Sequence, residues 1–102
     1  MSDDRRTTER FSFPLEARWE GQSGRHTARI SDISLGGCYI ESLGQVTIGE
    51  TISFEIQLPT ARWMRLRGTV AYQHPNVGFG VQFLDLSELE IDLLSDVIDF
   101  GR

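Results

Sequence analysis

The sequence predicts a mainly β protein, a six-stranded antiparallel β-barrel followed by a C-terminal α-helix. Six segments between residues 11 and 84 alternate apolar with polar residues, and turn signals separate them. These segments recur about every 8 to 12 residues, which is typical of small all-β folds. After residue 85 the apolar residues change to helical spacing. A chain of 102 residues has the length of one domain with one small core.

The first ten residues, MSDDRRTTER, contain no apolar residue after Met1 and cannot contribute to a core. We therefore predict a flexible tail over residues 1–10, which contains Arg5, Arg6 and Arg10. The folded domain is expected over residues 11–102.

The first two strands form a predicted hairpin. Apolar residues alternate over residues 11–19, and Pro14, which lacks an amide donor, marks the start, a bend or an edge of this strand. GQSG at residues 21–24 is a hairpin turn, and the second strand follows over residues 25–30.

The middle of the chain contains a glycine bend and two further strands. The paired glycines of DISLGG, residues 32–37, predict a tight bend or a close approach of backbone. A short third strand is expected over residues 38–42 and a fourth over residues 50–58, ending in a turn at residues 59–60.

Two strands complete the predicted barrel. The fifth covers residues 62–73, with Gly68 marking a bend or bulge, and the sixth covers residues 78–84. Met64, Leu66, Val70 and Tyr72 are predicted to share one face of the fifth strand.

The final segment, about residues 87–100, is the predicted helix. Ser87 and Glu90 have the spacing of a capping box. The apolar stripe consists of Leu89, Leu93, Leu94, Val97 and Ile98. The opposite face is acidic and consists of Glu88, Asp92, Asp96 and Asp99.

The formal net charge of −5 and the pI near 4.9 argue against an ordinary nucleic-acid-binding protein. The acidity is local, because residues 85–102 contain six carboxylates and one arginine, whereas residues 1–84 contain nine of each. Every basic residue is an arginine, whose planar fork suits phosphates and guanine edges.

Cys38 is the only cysteine, which excludes an intrachain disulfide and favours a reducing compartment. We expect it to pack in the barrel wall as a small hydrophobic residue. The sequence has no signal peptide and no apolar run long enough to span a membrane, so a cytoplasmic location without membrane insertion is expected.

No pattern predicts an enzyme. His26 lies on a strand and His74 in a turn. Neither has a nucleophile or a metal ligand at the spacing of a catalytic or metal-binding motif. The sequence also contains no nucleophile elbow, Walker-type phosphate loop or Cys/His metal spacing. We therefore expect a non-catalytic protein that needs no metal or cofactor.

Two motifs point to a ligand. Arg6 and Arg10 form RxxxR, and Asp32, Ser34 and Gly37 form DxSxxG. In this combination and order, ahead of a late GFGVQF strand and a final helix, the chain resembles the PilZ domain family, bacterial receptors for cyclic di-GMP. The resemblance spans nearly the whole chain and implies that these five residues bind cyclic di-GMP.

The chemistry of the motif residues agrees with that ligand. A guanidinium can bind guanine O6 and N7 or a phosphate with two hydrogen bonds. The Asp32 carboxylate can accept hydrogen bonds from the donor edge of guanine, which adenine lacks. The Ser34 hydroxyl is short enough to reach a base or phosphate, and Gly37 allows a close backbone approach. The DxSxxG motif is equally compatible with a purely structural role, as a turn in which the Asp32 and Ser34 side chains cap backbone amides.

Arg5 directly precedes the RxxxR motif. An arginine at this position resembles the family variant that binds an intercalated dimer of cyclic di-GMP. The alternative interpretation of Arg5 is a solvated charge in the tail. The implied output is a tail that becomes ordered on the barrel and changes a surface read by a downstream effector protein.

Two surfaces suggest other functions. A module that binds proteins without a nucleotide could use the acidic helix or the Trp63 face. Trp63, Arg65 and Arg67 share one strand face, which on an OB-like barrel could also stack single-stranded nucleic acid. A solvated barrel face explains the same residues, and we predict no nucleic-acid polymer as partner.

Overall fold

The computed structural model describes residues 14–100, which form six strands and one helix. These elements are β1 (Leu15–Gly21), β2 (Gly24–Ile33), β3 (Gly37–Glu41), β4 (Thr51–Gln57), β5 (Trp63–His74), β6 (Gly78–Phe83) and α1 (Glu88–Phe100). All six predicted strands and the predicted helix are therefore present.

The strands close into a barrel in the order β1-β2-β3-β6-β5-β4, and every neighbouring pair is antiparallel. Closure depends on β1, which pairs with β2 on one side and with β4 on the other. The predicted fold class is confirmed. Because every strand has two neighbours, the barrel has no open sheet edge.

Alternating side chains fill the barrel. In β4, Ile52, Phe54 and Ile56 are each at most 1% exposed, while the residues between them face outward. Burial of each such side chain stabilises the fold by about 1.5 to 3 kcal/mol. The helix extends the same core, because Leu94, Val97 and Ile98 are buried in the cluster formed by the strands.

The first strand begins directly after Pro14. Of the three interpretations of this proline, a strand start is correct, because β1 is paired on both sides and is not an edge. A two-residue connection between Gly21 and Gly24 confirms the predicted hairpin turn. The predicted tail over residues 1–10 lies outside the described residues.

Two register shifts interrupt the barrel, one in β2 between Ile30 and Asp32 and one in β5 between Val70 and Tyr72. A bulge adds one residue to a strand and exchanges the inward and outward positions beyond it. The prediction that Tyr72 shares a face with Met64, Leu66 and Val70 is therefore wrong, since those three residues are buried and Tyr72 is 49% exposed. The bend predicted from residue 32 also begins later, after Ile33.

Gly68 is not the bulge that the sequence suggested. It pairs in regular register with Ile52 and Phe83. A side chain at this position would collide with the Val81 side chain and the Gln82 carbonyl group. The glycine thus permits a close approach inside the barrel.

The helix begins with the predicted capping box. The Ser87 amide donates to Glu90 Oε1 at 2.9 Å, and the Glu90 amide donates to Ser87 Oγ at 3.1 Å. The predicted acidic face is exposed. Leu89 does not join the buried stripe and is 68% exposed, because the helix first contacts the core one turn later, at Leu93.

Glu50 is the one charged residue buried among residues 14–100. Its carboxylate accepts the amide of Gln22 at 3.0 Å and the amide of Thr47 at 2.6 Å. It thereby ties the β1–β2 hairpin to the loop that precedes β4. These hydrogen bonds compensate for the burial of the charge.

We predict that Glu50→Ala lowers the free energy of unfolding by about 1 to 3 kcal/mol, because two backbone amides lose their acceptor. Urea unfolding followed by tryptophan fluorescence measures this loss. The exposed Glu16→Ala is the matched control, with an expected change of about 0.5 kcal/mol or less. Equal losses for the two variants would contradict the role of Glu50.

Candidate ligand-binding site

A surface groove of about 300 Å³ runs across β2, β3, β6 and β5, which are consecutive strands of the barrel. It brings together all three residues of the DxSxxG motif. The lining residues are Asp32, Ser34, Gly36, Gly37, Cys38, Tyr39, Ala71, Tyr72, Gly80, Val81 and Gln82.

Asp32 lies near the end of β2, just beyond the bulge, where it pairs with Tyr39 of β3. Its side chain is half-buried at one wall of the groove. The bulge sets which way residues beyond Ile30 face, so it determines the position of this carboxylate.

Ser34 organises the turn between β2 and β3. Its amide donates to the Gly37 carbonyl at 2.9 Å, and its Oγ accepts the Gly36 amide at 3.3 Å. The turn is fastened to the end of β6, where the Phe83 amide donates to the Gly36 carbonyl at 3.0 Å. For Ser34 the turn interpretation is therefore correct, and the same residue also lines the groove.

Gly37 begins β3 where two backbones meet closely. A side chain there would collide with the carbonyl oxygen of Val81 in β6. The neighbouring Gly36, by contrast, has open space where a side chain would project. Close backbone packing therefore accounts for glycine at position 37, as one of the two sequence interpretations expected.

Arg5, Arg6 and Arg10 lie outside the described residues, and their contacts stay predictions. The described part of the chain starts at Pro14 and enters β1 immediately. Leu15, the first residue of β1, pairs with Ile30 of β2. This places the start of β1 beside the strand that carries Asp32.

An aromatic cluster occupies the other part of the groove. The rings of Tyr39 and Tyr72 lie 6.2 Å apart between centroids at an interplanar angle of 29°. The Tyr39 hydroxyl is hydrogen-bonded to His74 Nδ1 at 2.9 Å, and the Tyr72 ring meets His74 edge-on at 5.6 Å. The sequence did not predict these groove residues, because period-2 alternation assigned Tyr72 to the same face as Met64, Leu66 and Val70.

Cys38 packs in the barrel wall, as predicted, and is 8% exposed. Burial raises the pKa of its thiol well above the usual range, and the nearby negative charge of Asp32 raises it further. The thiol therefore stays protonated and non-nucleophilic at neutral pH.

The Trp63 face carries charged side chains that are paired with one another. The Arg18 guanidinium lies 3.9 Å from the Trp63 ring centroid and bonds Glu55 at 2.6 Å, while Arg67 bonds Asp85 at 3.0 Å. A second groove of about 450 Å³ lies on β1, β2, β4 and β5 beside this network. The charged side chains of the Trp63 face pair with one another, which agrees with the interpretation of this face as a solvated barrel surface.

His26 stacks on Trp19 with ring centroids 4.4 Å apart and is hydrogen-bonded to Ser23 Oγ at 2.9 Å. Between residues 14 and 100, no three His, Cys, Asp or Glu side chains form a metal-binding group. No helix in this part of the chain is long and apolar enough to cross a membrane.

Comparison with known protein families identifies this barrel. The model of the PilZ domain family matches residues 4–100. The matched range contains every described element and extends before them to residue 4. The chain belongs to the PilZ domain family.

Solved structures agree with this fold. The PilZ domain of Escherichia coli YcgR with c-di-GMP has a TM-score of 0.76 at 16% identity, over 95% of this chain and 91% of that one. The PilZ domain of CeSA from a cellulose-synthesizing bacterium has a TM-score of 0.68 at 13% identity, over 91% of this chain and 98% of that one.

The Bacillus subtilis inhibitor of motility MotI/DgrA has a TM-score of 0.76 at 18% identity, over 94% of this chain. The chain spans only 51% of that protein's length. No curated protein sequence matches the chain.

We predict that Gly37→Ala lowers the free energy of unfolding by about 1 to 3 kcal/mol, because the new methyl group must displace β6. Thermal unfolding followed by circular dichroism measures the loss. Gly36→Ala is the matched control one residue away and is expected to change the free energy by about 0.5 kcal/mol or less. Equal melting temperatures for the two variants would contradict the close backbone packing at Gly37.

We predict that Cys38 resists thiol-reactive reagents in the native protein and reacts at once in urea. Burial raises the pKa of the Cys38 thiol in the folded state, so only the unfolded state ionises just above the ordinary thiol pKa of about 8.5. The free energy of unfolding is therefore retained below this pH and falls as the pH rises above it. A disulfide-exchange reagent at pH 8, with and without urea, measures the difference. Equal reaction rates would contradict the assigned burial.

Proposed function

We propose that the protein is a cytoplasmic receptor for cyclic di-GMP. The observation that carries the proposal is the convergence of Asp32, Ser34 and Gly37, which come from a strand end, a turn and a strand start, in one groove. Membership of the PilZ family supports it, as do family structures described with c-di-GMP.

The groove offers chemistry that selects guanine. The Asp32 carboxylate can accept hydrogen bonds from the ring N1–H and the exocyclic amino group of guanine. Adenine has a hydrogen-bond acceptor at ring nitrogen N1, so it cannot donate from that atom. Charge-assisted hydrogen bonds of this kind contribute about 1.5 to 3 kcal/mol each. In the proposed complex Asp32 sets base selectivity, and Ser34 and Gly37 shape the turn beside the base.

The arginine motif supplies the remaining contacts in the proposal. Arg6 and Arg10 bind phosphate oxygens and the O6 and N7 edge of guanine with bidentate hydrogen bonds. Arg5 extends the cluster, and an intercalated dimer of the ligand gives it a second guanine or phosphate to contact. At about 300 Å³ the groove is at the small end of ligand sites, which fits a site completed by the arginine segment.

Binding then acts as a switch without catalysis. Ordering the tail costs about 1 to 2 kcal/mol per residue fixed, and several charge-assisted hydrogen bonds offset that cost. A submicromolar to micromolar dissociation constant results. The ligand holds the tail against the barrel, and a downstream effector protein recognises the changed surface.

We predict that calorimetric titration of cyclic di-GMP into the protein gives saturable binding, and that Asp32→Ala and Arg10→Ala each weaken it about tenfold or more. Cyclic di-AMP should bind much more weakly to the wild type. A ratio of two ligands per chain is the expected sign of the intercalated dimer.

Asp92→Ala, which removes an exposed carboxylate from the helix, is the matched control and should bind like the wild type. The proposal is overturned if the wild type shows no heat of binding, or if Asp32→Ala binds with unchanged affinity. A ratio of one ligand per chain would contradict the intercalated dimer and leave the receptor function in place.

A further inference from the structure

Three connections lie together at the end of the barrel opposite the turn that contains Ser34. Because all neighbouring strands are antiparallel, the β1–β2 turn, the β3–β4 loop and the β5–β6 turn share one end. The Ser34 turn and the start of α1 lie at the other end. The loop end of the barrel is defined here by the β3–β4 loop, residues 42–50, and the β5–β6 turn, residues 75–77.

The loop end exposes apolar side chains and no charge. Leu43 is 79% exposed, and Ile48 and Val77 are each 58% exposed. Residues 42–49 and 75–78 contain no Asp, Glu, Lys or Arg, although 25% of the chain is charged. Depletion of charge around exposed apolar side chains is typical of the core of a protein–protein interface.

Polar contacts fix the β3–β4 loop against the barrel. Trp19 Nε1 donates to Ser42 Oγ at 3.1 Å, and the Ser23 hydroxyl donates to the Gln45 carbonyl at 2.8 Å. The buried Glu50 carboxylate holds the end of the same loop. The apolar side chains of the loop are therefore held outside the core by a fixed backbone, which loses little conformational entropy on binding.

A groove of about 310 Å³ lies between the β3–β4 loop and the β5–β6 turn. Val46, Pro75 and Phe79 contribute apolar surface to this groove. Leu43 lines it as well and remains mostly exposed. The loop end thus carries both a projecting apolar side chain and a groove that can receive one.

This combination is self-complementary. A two-fold axis through the loop end would let each of two chains insert its Leu43 into the groove of the other. No second binding surface is needed, because the projecting side chain and the groove lie on the same end.

The distribution of charge also favours a second copy of this chain at the loop end. Residues 85–102 contain six carboxylates and one arginine and carry the whole net charge of −5. The helix in this segment starts at the opposite end of the barrel. Two chains that meet at their loop ends keep these acidic segments apart, whereas contact through α1 would bring like charges together.

We propose that the loop end is a homodimer interface in which Leu43 of each chain enters the groove of its partner beside Val77. The contact is small, so the dimer is weak and forms at micromolar to millimolar protein concentrations. The turn that contains Ser34 stays accessible in this dimer, because it lies at the other end of each barrel. The proposal is independent of the cyclic di-GMP function.

Sedimentation velocity of the full chain without nucleotide, in a concentration series up to about 1 mM, tests the proposal. We expect a reversible monomer–dimer equilibrium in the wild type. Leu43→Asp places a charge in the contact and should weaken dimerisation about tenfold or more, whereas Leu43→Met retains an apolar side chain and should dimerise like the wild type. Val77→Asp is the second interface variant and should also weaken the dimer.

Leu89→Asp is the matched control, because it introduces the same charge at a residue of α1 that is 68% exposed. It should dimerise like the wild type. Thermal unfolding of each variant checks that the barrel is folded. Raising the salt from about 0.05 M to about 0.5 M should retain or strengthen a contact without charges, whereas assembly through arginine–carboxylate pairs would weaken.

A wild type that stays monomeric throughout the series overturns the proposal in favour of a different protein as the partner of the loop end. A dimer that both Leu43→Asp and Val77→Asp leave unchanged also overturns it and places the interface elsewhere on the barrel. Loss of the dimer with Leu89→Asp assigns the contact to α1 instead. None of these outcomes alters the result of the cyclic di-GMP titration, which tests the proposed function separately.

Discussion

Pairing of β1 with β4 is the constraint on which the rest of the structure depends. It closes the sheet and gives every strand two neighbours, so that alternate side chains point into one enclosed core except beyond the two bulges. A domain of this size has a single small core, so each inward position matters. Within the closed barrel the order β2-β3-β6-β5 brings residues from distant parts of the sequence into one groove.

The groove is formed where that alternation is interrupted. One bulge precedes Asp32 on β2, and the other precedes Tyr72 on β5. Between them lie Gly37 and Gly80, two positions where a side chain would collide with a neighbour. Both glycines line the groove together with the residues that follow the two bulges, and the regular remainder of the barrel holds these positions in place.

The sequence predicted what depends on local chemistry. The alternating strands, the hairpin turn at residues 21–24 and the capping box of Ser87 and Glu90 are set by residues close together in the chain, and the structure confirms them. Asp32, Ser34 and Gly37 were recognisable as a motif, and the turn that Ser34 organises was one of the two interpretations that the sequence offered. The roles of Gly68 and Tyr72 were mispredicted because they depend on partners in other strands. A register shift leaves no local signature, so alternation continued past Val70 gives the wrong face.

Burial of Cys38 has a practical consequence for spectroscopy. The chain contains no other cysteine, and this one lies in the barrel wall with a thiol that is difficult to ionise. A cysteine introduced at an exposed position can therefore receive a fluorophore or spin label selectively, without first removing the native residue. Distances between such a label and a second probe then become accessible in a protein whose core is unaltered.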